Sequence, residues 1–147
     1  MHLRTATSED FDFLYSLHRA TLKEYVARTW GWDEVWQHNH FRQHFNPSAC
    51  QVIVFQGQDI GVLCVERREA EIFLSRIEML PGYQRKGIGT TIILEVLDEA
   101  KRMGRLVVLE VLKVNSAARR LYEHLGFSVT GETETHYLMK AVPEGVA

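Results

Sequence analysis

A basic turn that contains two glycines is the segment of this sequence best suited to chemistry. It comprises, in order, Gln84, Arg85, Lys86, Gly87, Ile88, Gly89 and Thr90. An apolar helical stripe begins here, and the first turn of a helix leaves backbone N–H groups unpaired at the positive end of its dipole. Glycines let an anion approach the backbone, and Arg85 and Lys86 add positive charge. The segment predicts a phosphate-binding helix N-terminus, with a solvated tight turn as the alternative.

The neighbouring spacing disfavours two other nucleotide-binding motifs. A Walker A loop requires Gly-Lys-Ser/Thr four residues after its first glycine, and the sequence lacks that pattern. In a dinucleotide fingerprint, the third glycine position would fall on Ile92, whose bulk would push the helix away from the strand. A nucleotide-binding oxidoreductase is therefore a weaker interpretation.

Aromatic residues and one carboxylate cluster near the connection between the first two predicted helices. They are Tyr25, Trp30, Trp32 and Glu34. Aromatic rings with a carboxylate can bind an amine, but the same residues can also pack two helices together. Both interpretations of this cluster stay open.

The histidines and cysteines do not indicate a metal site or a reactive thiol. His40 and His44 share a predicted helix face with His38 nearby, but no cysteine or carboxylate lies at ligand spacing. Cys50 and Cys64 lie in apolar runs, where cysteine usually behaves as a small buried hydrophobe. We expect no metal and two free buried thiols, with a disulfide or a catalytic thiol as the alternative.

Composition is that of an ordinary globular protein. The chain has 147 residues, 46% hydrophobic and 24% charged, with a formal net charge of -2. One domain of residues 1–147 is expected from this length, and the scattered basic residues disfavour nucleic acid as a partner. No apolar run approaches the length of a membrane span, and the first residues turn polar early, so we expect a cytoplasmic protein without a membrane partner.

The pattern of apolar residues predicts alternating strands and helices. Strands are predicted at about residues 2–6, 50–56, 60–68, 71–80, 106–112, 127–131 and 135–141, with a hairpin turn at residues 56–59. Helices are predicted to end near residues 28, 45, 103 and 125, with Asp33 capping the second, Gly104 ending the third and Asn115 or Ser116 capping the last. The last helix has an apolar stripe that includes Tyr122. One interpretation of Tyr122 is a buried ring whose hydroxyl has a single hydrogen-bond partner.

Two motifs in the sequence resemble those of the GNAT superfamily of acyl-CoA-dependent N-acetyltransferases. Gln84 to Gly89 resembles the Gln/Arg-x-x-Gly-x-Gly/Ala signature that binds the CoA pyrophosphate. Asn115 to Phe127 resembles the second motif, Asn-x-x-Ala-x-x-Leu-Tyr-x-x-x-Gly-Phe. With the preceding strand, they cover about residues 71–131. The resemblance implies an α/β fold with a mixed, mostly antiparallel sheet, a splayed parallel strand pair and helices on both faces.

The resemblance also implies how acetyl-CoA would bind as a co-substrate. The segment from Gln84 to Thr90 would hold the pyrophosphate. Pantetheine would pair like an added strand with the backbone of Ile77 and Met79, and the Met79 N–H would polarise the thioester carbonyl. Asn115 would contact the pantetheine arm as well as cap its helix, and Ala118 of the same motif is assigned to the cofactor site.

Catalytic roles follow from the same resemblance. Tyr122 matches the tyrosine that protonates, or donates a hydrogen bond to, the departing CoA thiolate. A phenol is a weaker acid than a thiol, so we expect a hydrogen bond rather than complete proton transfer. The attacking amine must lose a proton, and Glu78 and Glu110 are the candidate bases, with ordered water as a third option. Glu110 lies twelve positions before Tyr122, a spacing that resembles the ribosomal-protein alanine acetyltransferase branch, and Glu78 resembles bases on this strand in other branches. Either glutamate can instead be a solvated or salt-bridged strand residue.

The sequence is therefore interpreted as an N-acetyltransferase in which a primary amine attacks acetyl-CoA directly in a ternary complex. The cofactor-binding core would span about residues 71–131, and acceptor-side helices about residues 8–45. The acceptor amine is left open, and a homodimer is an option because dimers are frequent in the superfamily. The alternative is a non-catalytic domain that senses acyl-CoA.

Overall fold

A computed structural model of the chain describes residues 1–146, and Ala147, the last residue of the predicted domain, lies outside them. The strands are β1 (His2–Thr5), β2 (Cys50–Phe55), β3 (Gln58–Arg67), β4 (Glu71–Met79), β5 (Leu106–Leu112), β6 (Ser128–Glu132) and β7 (His136–Ala141). The helices are α1 (Phe11–Trp30), α2 (Glu34–His44), α3 (Ile88–Met103) and α4 (Ser116–His124). The predicted order of elements is confirmed.

The strands form a seven-stranded sheet in the order β1-β2-β3-β4-β5-β7-β6. Strands β4 and β5 pair in parallel, with Glu71–Phe73 opposite Leu106–Val108. The pairs β1–β2, β2–β3, β5–β7 and β6–β7 are antiparallel. The predicted mixed, mostly antiparallel sheet with one parallel pair is confirmed, and splaying of that pair beyond its first residues stays a prediction.

The described chain clusters into two compact units. The first contains residues 1–64 and 76–86, and the second contains residues 65–75 and the chain from Gly87 onward. The core of the first unit combines residues from α1, α2, β2 and β3: Phe11, Leu14, Leu17, Phe41, Val52, Val54 and Val62. This core supports the helices that carry the predicted acceptor residues.

The second unit is organised around α3 and β5. One face of α3 is buried through Ile92, Ile93, Val96 and Ala100, as its predicted stripe requires. The helix ends at Gly104, which has the left-handed conformation expected of a glycine C-cap, with φ 67°. Residues 1–146 contain no helix long and apolar enough to cross a membrane.

Helix α4 has no buried residue. Leu121 of its apolar stripe is 38% exposed. Tyr122, on the same stripe, is half-buried rather than buried. Helical periodicity shows that one face is apolar, but it does not show that another element covers that face.

The cysteines also differ from the prediction. Cys50 and Cys64 lie opposite each other in β2 and β3, with Cα atoms 4.2 Å apart, and they form a disulfide. The expectation of two free thiols was therefore wrong. A β-bulge between Ile53 and Val54 shifts the register by one residue, and this shift brings the two cysteines into direct opposition.

Candidate active site

The end of β4 lies very close to β3 at Gly61. A Cβ atom added at Gly61 would overlap the carbonyl oxygen of Glu78 and lie 2.8 Å from Cγ of Met79. The Leu80 N–H donates a hydrogen bond to the Ile60 carbonyl at 2.8 Å. Only glycine allows this approach, so Gly61 determines where the backbone of Glu78 and Met79 lies.

Glu78 is a buried carboxylate on this strand. Burial alternates along β4, with Ile72, Leu74 and Glu78 buried and Ile77 and Met79 half-buried, which agrees with the predicted opposite orientations. Glu78 is 7% exposed. A charged group so deeply buried requires partners, because removing it from water is costly.

The two oxygens of Glu78 have different surroundings. Oε2 lies 3.2 Å from Nδ1 of His18 and 3.9 Å from Nε of Arg76. Oε1 is buried and has no hydrogen-bond partner among the described residues. The carboxylate is therefore held on one side and has unused acceptor capacity on the other.

An aromatic ring lies beside both partners of this carboxylate. The His18 ring centroid is 5.2 Å from that of Phe41, and the Arg76 guanidinium lies 4.9 Å from the same ring. Phe41 is itself buried in the core of the first unit. These contacts restrict the orientations of His18 and Arg76.

The predicted phosphate-binding turn is held to the end of β4 and contains a residue with a left-handed backbone. Gln84 donates from Nε2 to the Met79 carbonyl at 2.9 Å, and Arg85 has a left-handed backbone with φ 62°. Lys86 lies with Nζ 5.7 Å from the centroid of the Tyr83 ring. The Gln84 hydrogen bond ties the turn to the end of β4.

Gly87 is the N-cap of α3 and has φ 80°, a conformation that L-residues with side chains rarely adopt. The first intrahelical bond runs from the Thr91 N–H to the Gly87 carbonyl, at 3.0 Å. The amides of Ile88, Gly89 and Thr90 precede that bond in the first turn of the helix. This part of the chain has the donors and dipole required to bind a phosphate.

The remaining catalytic candidates belong to the second unit. Glu110 is exposed on β5 and lies opposite Leu138 of β7. Tyr122 is half-buried, with its ring centroid 5.7 Å from that of Phe127. Asn115 caps α4 by accepting from the Ala118 N–H at 3.2 Å, which confirms its capping role. Contacts of these residues with acetyl-CoA stay predictions.

The predicted acceptor residues are brought together only in part. Trp32 donates from Nε1 to Glu34, and Arg19 contacts the same carboxylate at 2.6 Å. The Trp32 hydrogen bond and then the Arg19 charge lower the pKa of Glu34. Tyr25 is half-buried on α1, and Trp30 is 60% exposed at the end of that helix. Glu34 is thus engaged by neighbours of its own unit.

A groove of about 550 Å³ runs along the exposed face of α1. Its lining residues are Ser16, Arg19, Ala20, Lys23, Glu24 and Ala27. None of the predicted acceptor residues lines it. The His40 and His44 rings of α2 lie tilted against each other, with centroids 4.2 Å apart. Within residues 1–146, no group of three or more His, Cys, Asp or Glu could hold a metal ion.

Three residues of this site were not predicted: His18, Gly61 and Arg76. Gly61 carried a usable signal, because a glycine inside an apolar strand often marks a close backbone approach. His18 carried none, since a single histidine in an amphipathic helix has many roles. Its pairing with Glu78 joins α1 to β4, a contact between distant segments.

The family model described as the Acetyltransferase (GNAT) family matches residues 11–127. N-acetylaspartate synthetase from Danio rerio is 36% identical over 94 residues, which is 62% of this chain and 33% of that protein. [Ribosomal protein bS18]-alanine N-acetyltransferase from Escherichia coli K12 is 37% identical over 68 residues, 46% of each chain. The chain spans less than half the length of these curated relatives.

Solved structures agree on the fold. The PaiA N-acetyltransferase from Thermoplasma acidophilum, solved in complex with coenzyme A, aligns with a TM-score of 0.79 at 20% identity, covering 96% of this chain and 98% of that one. The ribosomal-protein-S18-alanine N-acetyltransferase from Escherichia coli aligns with a TM-score of 0.72 at 20% identity, covering 99% and 96%. The match over residues 11–127, which include both motifs and the Gly87 helix start, shows that this chain belongs to the GNAT family of acetyltransferases.

Proposed function

We propose that this protein transfers an acetyl group from acetyl-CoA to a primary amine and that Glu78 is the general base. The observation that carries the choice of base is the buried Glu78 carboxylate with one oxygen, Oε1, unpartnered among the described residues. A primary amine is mostly an ammonium ion at neutral pH and must lose a proton before it can attack. A carboxylate oxygen with unused acceptor capacity is suited to accept that proton.

Acetyl-CoA is the proposed acetyl donor because the start of α3 fits its pyrophosphate. The left-handed Gly87 begins α3 and orients the amides of the first turn outward along the helix axis. Arg85 and Lys86, both exposed, precede it in the chain. The PaiA structure that shares this fold contains coenzyme A, which supports the same ligand here. Bound acetyl-CoA supplies an activated acyl group, and no step requires a metal.

The backbone of β4 is proposed to orient the donor. Ile77 and Met79 flank Glu78 and are half-buried, on the opposite face of the strand. The Met79 carbonyl accepts from Gln84, so the strand end and the turn are mutually fixed. In this assignment the Met79 N–H donates to the carbonyl oxygen of the thioester and stabilises the charge that develops there.

The proposed acceptor is the α-amino group of an amino acid or of a peptide N-terminus. The names of several relatives point to this class: the bS18 alanine N-acetyltransferase, the N-alpha-acetyltransferase RimI of Mycobacterium tuberculosis, and the L-methionine sulfoximine acetyltransferase of Salmonella typhimurium. Amino acids and short peptides are therefore the acceptors to test first, with lysine side chains and polyamines as comparisons. A cytoplasmic location and a homodimer are part of this proposal.

Release of the CoA thiol with a panel of amines tests the function. We expect release that depends on both acetyl-CoA and an α-amine, with an acetylated product of the matching mass. If acetyl-CoA binds but no amine in the panel releases thiol, the acyl-CoA sensor becomes the better interpretation.

A further inference from the structure

The side chain of His18 contacts the proposed base directly. Its Nδ1 lies 3.2 Å from Oε2 of Glu78, a normal distance for a hydrogen bond between nitrogen and oxygen. An ionised carboxylate has no proton to donate. A hydrogen bond therefore requires that Nδ1 carries the proton and donates it to Oε2.

Of the two basic neighbours, His18 is the one within hydrogen-bonding distance. Arg76 lies 3.9 Å from Oε2 through its Nε, which is too far for a hydrogen bond. His18 is therefore the basic neighbour that can restrain Oε2 by a hydrogen bond. This contact also leaves Oε1 as the oxygen with unused acceptor capacity.

The His18 ring is held in its own position by the core of the first unit. The preceding residue, Leu17, is fully buried, and the imidazole packs at 5.2 Å from the Phe41 ring. The side chain of His18 is 14% exposed. A ring that is fixed by packing can impose its orientation on the carboxylate that it contacts.

We infer that His18 is a positioning residue for the general base: its Nδ1–H holds Oε2 of Glu78 and so directs Oε1 toward the acceptor amine. This inference rests on the proposed function, because it requires Glu78 to accept the proton. Correct placement of a base matters for the rate, because a small displacement of a reacting group can lower the rate strongly. His18 itself does not contact the acceptor.

A double-mutant cycle between His18 and Glu78 tests the inference. We expect His18→Leu to lower kcat about 10- to 100-fold, because the variant loses one hydrogen bond to a charged group. KM for acetyl-CoA should stay within about twofold of the wild-type value. His18→Asn places an amide N–H near the position of Nδ1 and should restore kcat to within about threefold of wild type. In a Glu78→Gln background, His18→Leu should change kcat by less than about twofold.

A matched control separates positioning from general loss of packing. His38→Leu removes a histidine of the same aromatic cluster, one that contacts Phe11 and Tyr15, and should leave kcat within about twofold. Thermal unfolding of each variant reports whether the fold is retained. An equal kcat loss from His18→Leu in both backgrounds, or an Asn variant as slow as the Leu variant, would overturn the positioning role.

A readout that needs no activity distinguishes failure of this inference from failure of the proposed function. Long-range ¹⁵N–¹H NMR of the wild-type protein should show a proton on Nδ1 of His18, and Glu78→Gln should shift that nitrogen resonance. A spectrum with the proton only on Nε2 overturns the inference even if acetyl transfer is observed. If the hydrogen bond is present but Glu78→Gln retains full activity, the assignment of Glu78 as the base is what fails.

Discussion

Two glutamates of this protein have nearly the same local sequence but opposite surroundings. Glu78 lies between Ile77 and Met79 in β4, and Glu110 lies between Leu109 and Val111 in β5. In β4 the flanking residues are half-buried and the glutamate is buried, whereas in β5 the flanking residues are buried and the glutamate is exposed. Strand alternation puts each glutamate opposite its neighbours, but it does not determine which face is covered.

This difference separates the chemical capacities of the two residues. Glu78 has partners from α1 and from its own strand, and one oxygen without a hydrogen-bond partner among the described residues. Glu110 is exposed, where water satisfies a carboxylate at little cost. A base that is shielded from water and oriented by neighbours is better prepared to accept a proton from a bound amine. The comparison therefore favours Glu78 over Glu110 as the general base.

The largest expected effect comes from removing one of these carboxylates. Glu78→Gln should lower kcat about 10²- to 10⁴-fold, the usual contribution of general base catalysis, with the greatest loss at low pH, where unprotonated amine is scarcest. Glu110→Gln is the matched control, and its kcat should stay within about threefold of the wild-type value. Both variants should bind acetyl-CoA normally. Initial rates from pH 6 to 9 test this prediction. A larger loss of kcat for Glu110→Gln than for Glu78→Gln would contradict the assignment of Glu78 as the base.

The second unit is expected to contribute through Tyr122 rather than through Glu110. Tyr122→Phe should reduce kcat about 10²- to 10³-fold, because it removes one hydrogen bond to the charge that develops on sulfur. Single-turnover kinetics at saturating acetyl-CoA measure the chemical step directly. Tyr137→Phe is the control, since the Tyr137 ring keeps its contacts with Arg119 and Lys113 after loss of the hydroxyl. A Tyr122→Phe variant as fast as wild type would show a structural role.

Substitutions at the two ends of α3 are expected to have effects of intermediate size. Gly87 and Gly104 both have positive φ and open space around the position of a Cβ atom, so valine causes similar backbone strain at either. We expect Gly87→Val to weaken acetyl-CoA binding at least about tenfold, through loss of the pyrophosphate contacts. Gly104→Val should leave the affinity unchanged. Calorimetric titration distinguishes them, and equal affinities would mean that the pyrophosphate binds elsewhere.

The smallest expected effect concerns the backbone that holds Glu78. Gly61→Ala places a Cβ against the carbonyl of Glu78 and should lower the free energy of unfolding by about 1–3 kcal/mol. Gly131 of β6 meets Leu138 at an ordinary 3.5 Å, so Gly131→Ala should change stability by less than about 0.5 kcal/mol. Urea unfolding measures both. Similar values for the two variants would show that β3 does not constrain the end of β4.

Features that depend on local sequence were predicted well. The apolar stripe and terminal glycine of α3 predicted its extent, and Asp33 and Asn115 cap the helices that they were expected to start. The hairpin between β2 and β3 turns at Gln56 and Gly57, both with positive φ. These features are local because capping and turn conformation involve residues only a few positions apart.

Features that depend on register or coverage were not predicted. The Cys50–Cys64 disulfide depends on a one-residue bulge, and the pattern of apolar residues does not predict that bulge. The apolar stripe of α4 is half-buried at Tyr122 and exposed at Leu121, which shows that amphipathicity does not establish how far a helix face is covered.

The sequence by itself determined the order of the strands and helices, the glycine turn at the start of α3 and the two motifs of the family. It could not choose between Glu78 and Glu110, because both have the same alternating pattern. Only the tertiary structure decided that Glu78 is buried and that Nδ1 of His18, sixty residues earlier in the chain, lies within hydrogen-bonding distance of one of its oxygens. Such a pairing results from packing α1 against the sheet, and packing between distant segments leaves no local signal in the sequence.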